Sequence, residues 1–128
     1  MIRVVAGIIE QHGRVLICQR PMHKIFGGKW EFPGGKMRLS ETPRQALARE
    51  LHEELGITAR IGDVLQTVRH RYPEMTEAVQ VVFLPAALEA LPRNLAFERI
   101  LWARRIDLPR YDFLAADRRV ISWLVHQV

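Results

Sequence analysis

Three glutamates stand at positions 50, 53 and 54, inside the run Arg49-Glu50-Leu51-His52-Glu53-Glu54-Leu55-Gly56-Ile57. On a helix, spacings of i, i+3 and i+4 gather them into one arc of about 100°. Like charges so placed repel one another by a few tenths of a kcal/mol per pair. The helix dipole adds to the cost, because anions are disfavoured toward a C-terminal end. Arg49 relieves part of this repulsion and a divalent cation would relieve it all. Carboxylate oxygens and water are the donors that Mg2+ or Mn2+ prefers. A bare E-x-x-E-E would equally suit a solvated acidic face, so the residues around it decide.

The element that must carry these acids is marked at both ends. Thr42 suits the N-cap, Pro43 the first helical position, and Gln45 the partner in a capping box. Gly56 supplies the left-handed residue that stops a helix. The pattern predicts a helix from Pro43 to about Leu55, with Ala48, Leu51 and Leu55 as its core-facing stripe.

Upstream of the helix the pattern continues. Gly35, five residues, Glu41, seven residues, Arg49-Glu50-Leu51, one residue, Glu53-Glu54, one residue, Gly56-Ile57 resembles the Nudix box of the Nudix hydrolases, matched at every fixed position. The motif covers about a fifth of the chain and is far more specific than a lone glycine-rich loop. Gln19-Arg20 and Trp30-Glu31-Phe32-Pro33-Gly34-Gly35-Lys36 resemble the MutT branch, which handles nucleoside triphosphates.

The resemblance implies an α/β (α+β) Nudix fold, a mixed β-sheet sandwiched between helices. It implies a metal-dependent pyrophosphohydrolase that converts a nucleoside triphosphate to a monophosphate and pyrophosphate, with Mg2+ (or Mn2+) as cofactor. Glu53, Glu54 and the Gly34 carbonyl would be metal ligands. Glu50 would be a ligand and the first candidate for general base. Glu98 would be a further acid facing the metals and the second candidate, although a solvated loop glutamate is the competing reading. Arg49 would orient Glu50, and Glu41 would support the site. Arg20 and Lys36 would lie near substrate phosphates, and Phe32 near the base. Arg20 also suits a surface arginine at a strand end, and Phe32 a core aromatic.

Asp117 aligns where MutT uses an asparagine to read an oxidised guanine. An amide donates and accepts, whereas an ionised aspartate only accepts. The departure points toward an exocyclic amine, as on cytosine or adenine, or toward a simple cap for the last helix.

Composition sets the bounds. The 128 residues suffice for one domain with a real core, 1–128. The single cysteine, Cys18, excludes an intrachain disulfide framework and fits a reducing compartment. The opening Met1-Ile2-Arg3-Val4-Val5 lacks the features of a secretory leader, and no apolar run approaches a membrane span. A cytoplasmic protein is expected, with a small-molecule nucleotide as partner, no membrane and no obligate nucleic acid. Monomer and homodimer stay open. The net charge of +5 suits polyanionic partners or plain solubility.

Along the chain, Val4 to Glu10 and Arg14 to Arg20 read as a hairpin about Gln11-His12-Gly13. Pro21 to Lys29 reads as a mobile loop whose His23 and Lys24 are solvated. Trp30 to Phe32 is a short strand. Thr58 to Arg71 is extended, with a bend at Gly62-Asp63, and Pro73-Glu74-Met75 is a turn. Ala78 to Leu84 is apolar on both alternations and reads as a central strand ended by Pro85. Ala86 to Phe97 reads as a loop or a short helix followed by a loop, Ile100 to Ala103 as a strand with Trp102 in the core, and Tyr111 to Ala115 as a turn of helix or loop. Asp117 to His126 reads as the last helix. Within the superfamily, nucleotide sugars, dinucleoside polyphosphates and capped RNA are alternative substrates. A non-catalytic module binding nucleic acid is the reading outside enzymology, and the complete set of box glutamates speaks against it.

Overall fold

The computed structural model describes residues 1–127. Nine strands, two α-helices and two 3-10 turns follow one another among them. Strands β1 (Ile2–Ile8), β5 (Gly34–Lys36), β6 (Ala59–Ile61), β7 (Gln66–His70) and β8 (Val79–Leu88) form a mixed sheet. Within it, β1 and β8 run parallel, and the remaining pairs are antiparallel. Strands β2 (Glu10–Gln11), β3 (Arg14–Gln19), β4 (Trp30–Glu31) and β9 (Arg99–Arg104) form a second, antiparallel sheet around β3. Helix α1 (Pro43–Leu55) and helix α2 (Arg118–His126) pack on separate cores.

Strand β8 shows why there are two cores. Val79, Val81 and Phe83 point into one cluster with Val120, Ile121 and Leu124 of α2. Val82, Leu84 and Ala86 point into the other, beneath Leu47, Leu51 and Leu55 of α1. A strand covered on both faces is apolar on both alternations, which is the pattern its sequence carries with Gln80 as the exception. β1 behaves alike: Ala6 and Ile8 enter the first cluster, and Val5, with Ile9 just past the strand, the second.

Helix α1 forms where expected. Thr42 accepts from the Gln45 N–H, and the Gln45 side chain answers the Thr42 N–H. Gly56 closes the helix at φ 64° and ψ 29°. Its buried stripe is Ala46, Leu47, Leu51 and Leu55; Ala48 is only half-buried.

Several expectations need correction. The first strand belongs to the mixed sheet, so the hairpin is only the short β2–β3 pair about His12-Gly13. Being apolar on both alternations, β1 is drawn alongside β8 instead of continuing with β3. Pro85 does not end β8. It lies where β7 gives way to β6 as neighbour, and its carbonyl accepts from the Gly62 N–H at 2.8 Å. The missing proline N–H therefore falls at a break in the ladder, and residues 86–88 remain strand. Trp102 is only half-buried, against the α1 cluster. The 3-10 turn Arg105–Arg110 had no counterpart in the sequence reading. A second one, Ala115–Asp117, leads into α2, and Asp117 makes no side-chain cap. The loop 21–29 is not loose. It is cross-tied by Arg20 N–H to Lys29 O at 2.9 Å, Gly28 N–H to Arg20 O at 3.0 Å and Gly27 N–H to Lys24 O at 2.9 Å.

Leu51 is fully buried under the helix that carries the acids. Truncation by Leu51→Ala should cost roughly 2–5 kcal/mol. Urea denaturation monitored by circular dichroism measures it; a midpoint unchanged from the parent protein would contradict this packing.

Candidate active site

The acids of α1 reach the surface by different routes. Glu54 follows Leu47 by seven residues, so it lies within about 20° of that buried leucine around the helix. It is thereby turned inward, beside the chain at Gly34, whose N–H donates to Glu54 Oε1 at 3.0 Å. Gly34 itself must be glycine: a Cβ there would stand 1.9 Å from the Val5 carbonyl oxygen. Gly35 leaves room for Glu50 in the same way, since a Cβ would stand 2.6 Å from its carboxyl. The β5 glycines thus let α1 press its carboxylates against the sheet.

Arg49 is the hub of the outer side. It grips Glu41 with two bonds, Nε to Oε2 at 2.6 Å and Nη2 to Oε1 at 2.8 Å. Its Nη1 reaches Glu50 Oε1 at 2.8 Å, and its Nη2 the Lys36 carbonyl at 3.1 Å. The Arg49 bond, with help from the Arg38 N–H, holds the Glu41 carboxyl down at about 2. Glu53 is half exposed and lies 3.4 Å from Arg49.

Glu54 is in the opposite condition. Burial, then Glu50, then Glu31 push its carboxyl up to about 9, against the Gly34 N–H. Glu31 is itself raised by burial, opposed by Arg20, whose Nη1 sits 3.1 Å and 3.2 Å from its two oxygens. The Arg20 Nε donates to the Ile25 carbonyl at 3.0 Å.

These groups open on one cleft of about 490 Å³. Glu50, Glu54, Gly34, Gly35 and Lys36 line it, and so do Arg20, Phe32 and Asp117. Phe32 is also a core residue, packed on Phe113 at 5.2 Å and Phe83 at 6.3 Å between ring centroids. Asp117 is buried; burial and Glu31 raise its carboxyl, and the Phe32 N–H lowers it. Glu53 and Glu98 are not part of the lining; Glu98 is exposed at the start of β9, its N–H on the Gln19 carbonyl at 2.9 Å. Glu41 and Arg49 stand behind it, and Gly56 caps α1.

Among the cleft residues that the sequence does not point to are Glu31, Lys24, Phe26 and Tyr72. An acid between Trp30 and Phe32 was the one available signal, because a charge in an apolar strand needs a partner.

Among the described residues no three His, Cys, Asp or Glu side chains converge as a ready-made metal cage. The donor chemistry nevertheless fits a hard divalent cation. Glu54 and Glu50 face one cleft, and no arginine is bonded to Glu54, so their mutual repulsion lacks a full counter-charge.

Residues 4–123 match the family model of the NUDIX domain. The chain belongs to the Nudix family. An 8-oxo-dGTP diphosphatase of Haemophilus influenzae is 43 % identical over 129 residues, 99 % of this chain and 93 % of that one. A CTP pyrophosphohydrolase of Escherichia coli (strain K12) is 56 % identical over 63 residues, 49 % of this chain. That alignment spans only about half of the relative, 47 %. The solution structure of the E. coli ORF135 protein superposes with a TM-score of 0.84 at 32 % identity, covering 95 % of this chain and 86 % of that one. The expected MutT-like Nudix hydrolase, an enzyme of phosphoanhydride bonds with its mixed α+β fold, is borne out. No helix among the described residues is long and apolar enough to cross a membrane.

The raised Glu54 carboxyl sets a pH dependence. Between about 4.5 and about 9 the folded chain holds a proton there that the unfolded chain has released. This group's contribution to stability therefore falls as pH rises through that window. Without divalent cations, Glu54→Gln should raise the melting temperature at pH 8.5 and change it little at pH 4. Equal shifts at both pH values would contradict the inward placement of this acid.

Proposed function

We propose that this protein hydrolyses a (deoxy)nucleoside triphosphate, an oxidised or modified one in particular, to a nucleoside monophosphate and pyrophosphate. One observation carries the reading: Glu50 and Glu54 of α1 and the buried Asp117 line the same cleft. They are anchored on one short stretch of chain between β4 and the start of β5, Asp117 by the Phe32 N–H and Glu54 by the Gly34 N–H. Those two amides are two residues apart, at most roughly 7 Å of extended chain. A nucleotide can therefore meet a base-reading group and a phosphate-cleaving group at once.

Glu50, Glu53, Glu54 and the Gly34 carbonyl would hold the cation, Mg2+ or Mn2+. When bound, such a cation neutralises charge growing on phosphoryl oxygens and lowers the pKa of the attacking water. Glu50 takes the proton from that water. Its position beside Gly35 and in the cleft lining supports it over the solvent-exposed Glu98. Arg49, gripped by Glu41, orients Glu50 by a charge-assisted bond. Lys36, and Arg20 once released from Glu31, neutralise the polyphosphate. Phe32 gives the base an apolar wall.

Asp117 reads the base. Burial favours its neutral acid, which donates as well as accepts, as an amide does. Oxidised guanine thereby comes within reach of a residue that, ionised, would only accept. Work on the nucleotide pool in the cytoplasm follows from such a substrate.

A panel of nucleoside triphosphates, including 8-oxo-dGTP and CTP, with Mg2+ or Mn2+ and product identification tests the reading. Glu53→Gln should lower turnover by roughly 100-fold or more; full turnover would remove Glu53 from the metal set. Asp117→Asn keeps donor and acceptor at every pH. Its preference for 8-oxo-dGTP over CTP should exceed the parent protein's by a margin that grows as pH rises, since only the aspartate can ionise. An unchanged ranking across pH would take Asp117 out of base recognition.

A further inference from the structure

Tyr72 follows β7, is buried and lines the cleft that holds Asp117. Its ring is wedged between Phe26 of the 21–29 loop, at 4.8 Å, and His70, at 4.4 Å, between centroids. Its hydroxyl accepts from the Ala116 N–H at 3.0 Å, a buried bond between residues 44 apart in sequence. That N–H belongs to the 3-10 turn Ala115–Asp117, which has no side-chain cap from Leu114. Leaving a buried donor unpaired is costly, so Tyr72 holds this turn in place. The next residue in the turn is Asp117.

Packing alone does not require the hydroxyl. A phenylalanine would fill the space between Phe26 and His70 equally well. What the hydroxyl adds is a fixed polar group one residue from the base-reading acid. A phenol that accepts one bond still has its own proton to give. Because its lone pair is engaged by the Ala116 N–H, the direction of that proton is restricted, and the ring already borders the cleft.

We propose that Tyr72 is a specificity-determining residue: it locks the turn that presents Asp117 and offers its own O–H to the nucleobase beside that carboxyl. The inference rests on the reading of Asp117 given above. The ligand it fits is a base edge with an acceptor next to a donor, as in the carbonyl and ring N–H of a guanine or the ring nitrogen and amine of a cytosine. Sites built to hydrogen-bond a substrate discriminate strongly, because a wrong partner leaves a buried group unpaired.

The test is Tyr72→Phe beside Asp117→Ala, each measured on 8-oxo-dGTP, CTP and the four ordinary deoxynucleoside triphosphates. Tyr72→Phe should shrink the ratio of kcat/KM between the best and the second-best nucleotide by about tenfold, the loss falling on KM more than on kcat. If Asp117→Ala alters the ranking and Tyr72→Phe does not, Tyr72 only packs and the proposal fails. If neither alters it, the reading of Asp117 fails first. A second measurement survives poor folding of the variant. The chain has two tyrosines, so 3-fluorotyrosine labelling gives two fluorine resonances, assigned with Tyr111→Phe. The Tyr72 resonance should move when a nucleoside monophosphate product is titrated in; one that stays in place at saturation would overturn the proposal.

Discussion

Three carboxyl groups, those of Glu31, Glu50 and Glu54, crowd one side of a partly desolvated cleft, and the surrounding structure can be understood as what tolerates them. Arg20 is committed to Glu31, and Arg49 to Glu41 and Glu50. Glu54 is left with a single backbone N–H. The site is thus short of positive charge by construction. Such a shortage lowers the stability of the empty protein and raises its affinity for whatever cation or proton fills it. Active sites commonly carry local instability of this kind.

Holding acids together against their repulsion needs a stiff support. Helix α1 supplies it, with its capping box at one end, its glycine stop at the other and four buried side chains along its inner face. The sheet beneath is equally constrained. β8 presents alternate residues to two separate cores, so neither core can shift without the other. Gly34 and Gly35 then bring the backbone to the distance at which Glu54 and Glu50 meet it.

The parts legible in the sequence were those coded locally. Both ends of α1 follow from side chains within a few residues, and β8 from a run apolar on both alternations. The motif glutamates were readable because their spacing is a property of one helix. What was hidden depends on contacts between distant segments. Pro85 is tolerated only because two strands change over beside it. Asp117 turned inward instead of capping its helix because Tyr72 and Phe32, far away in sequence, hold its surroundings. The order of the 21–29 loop comes from its own backbone bonds, which its glycines, suggestive of freedom, gave no hint of.

That loop leaves β3 and rejoins β4, two strands already paired side by side, and its two ends are tied to each other by the Arg20 and Lys29 backbone. It is a closed appendix whose root is independent of its tip. Residues exchanged at its exposed tip leave the β3–β4 pairing in place, while Lys24 and Phe26 ride on the loop into the cleft wall. On the proposed reading, the acids of α1 thus stand on rigid parts and one wall of the cleft on a part whose sequence can vary, so base preference can drift by changes there while the acidic cluster stays as it is.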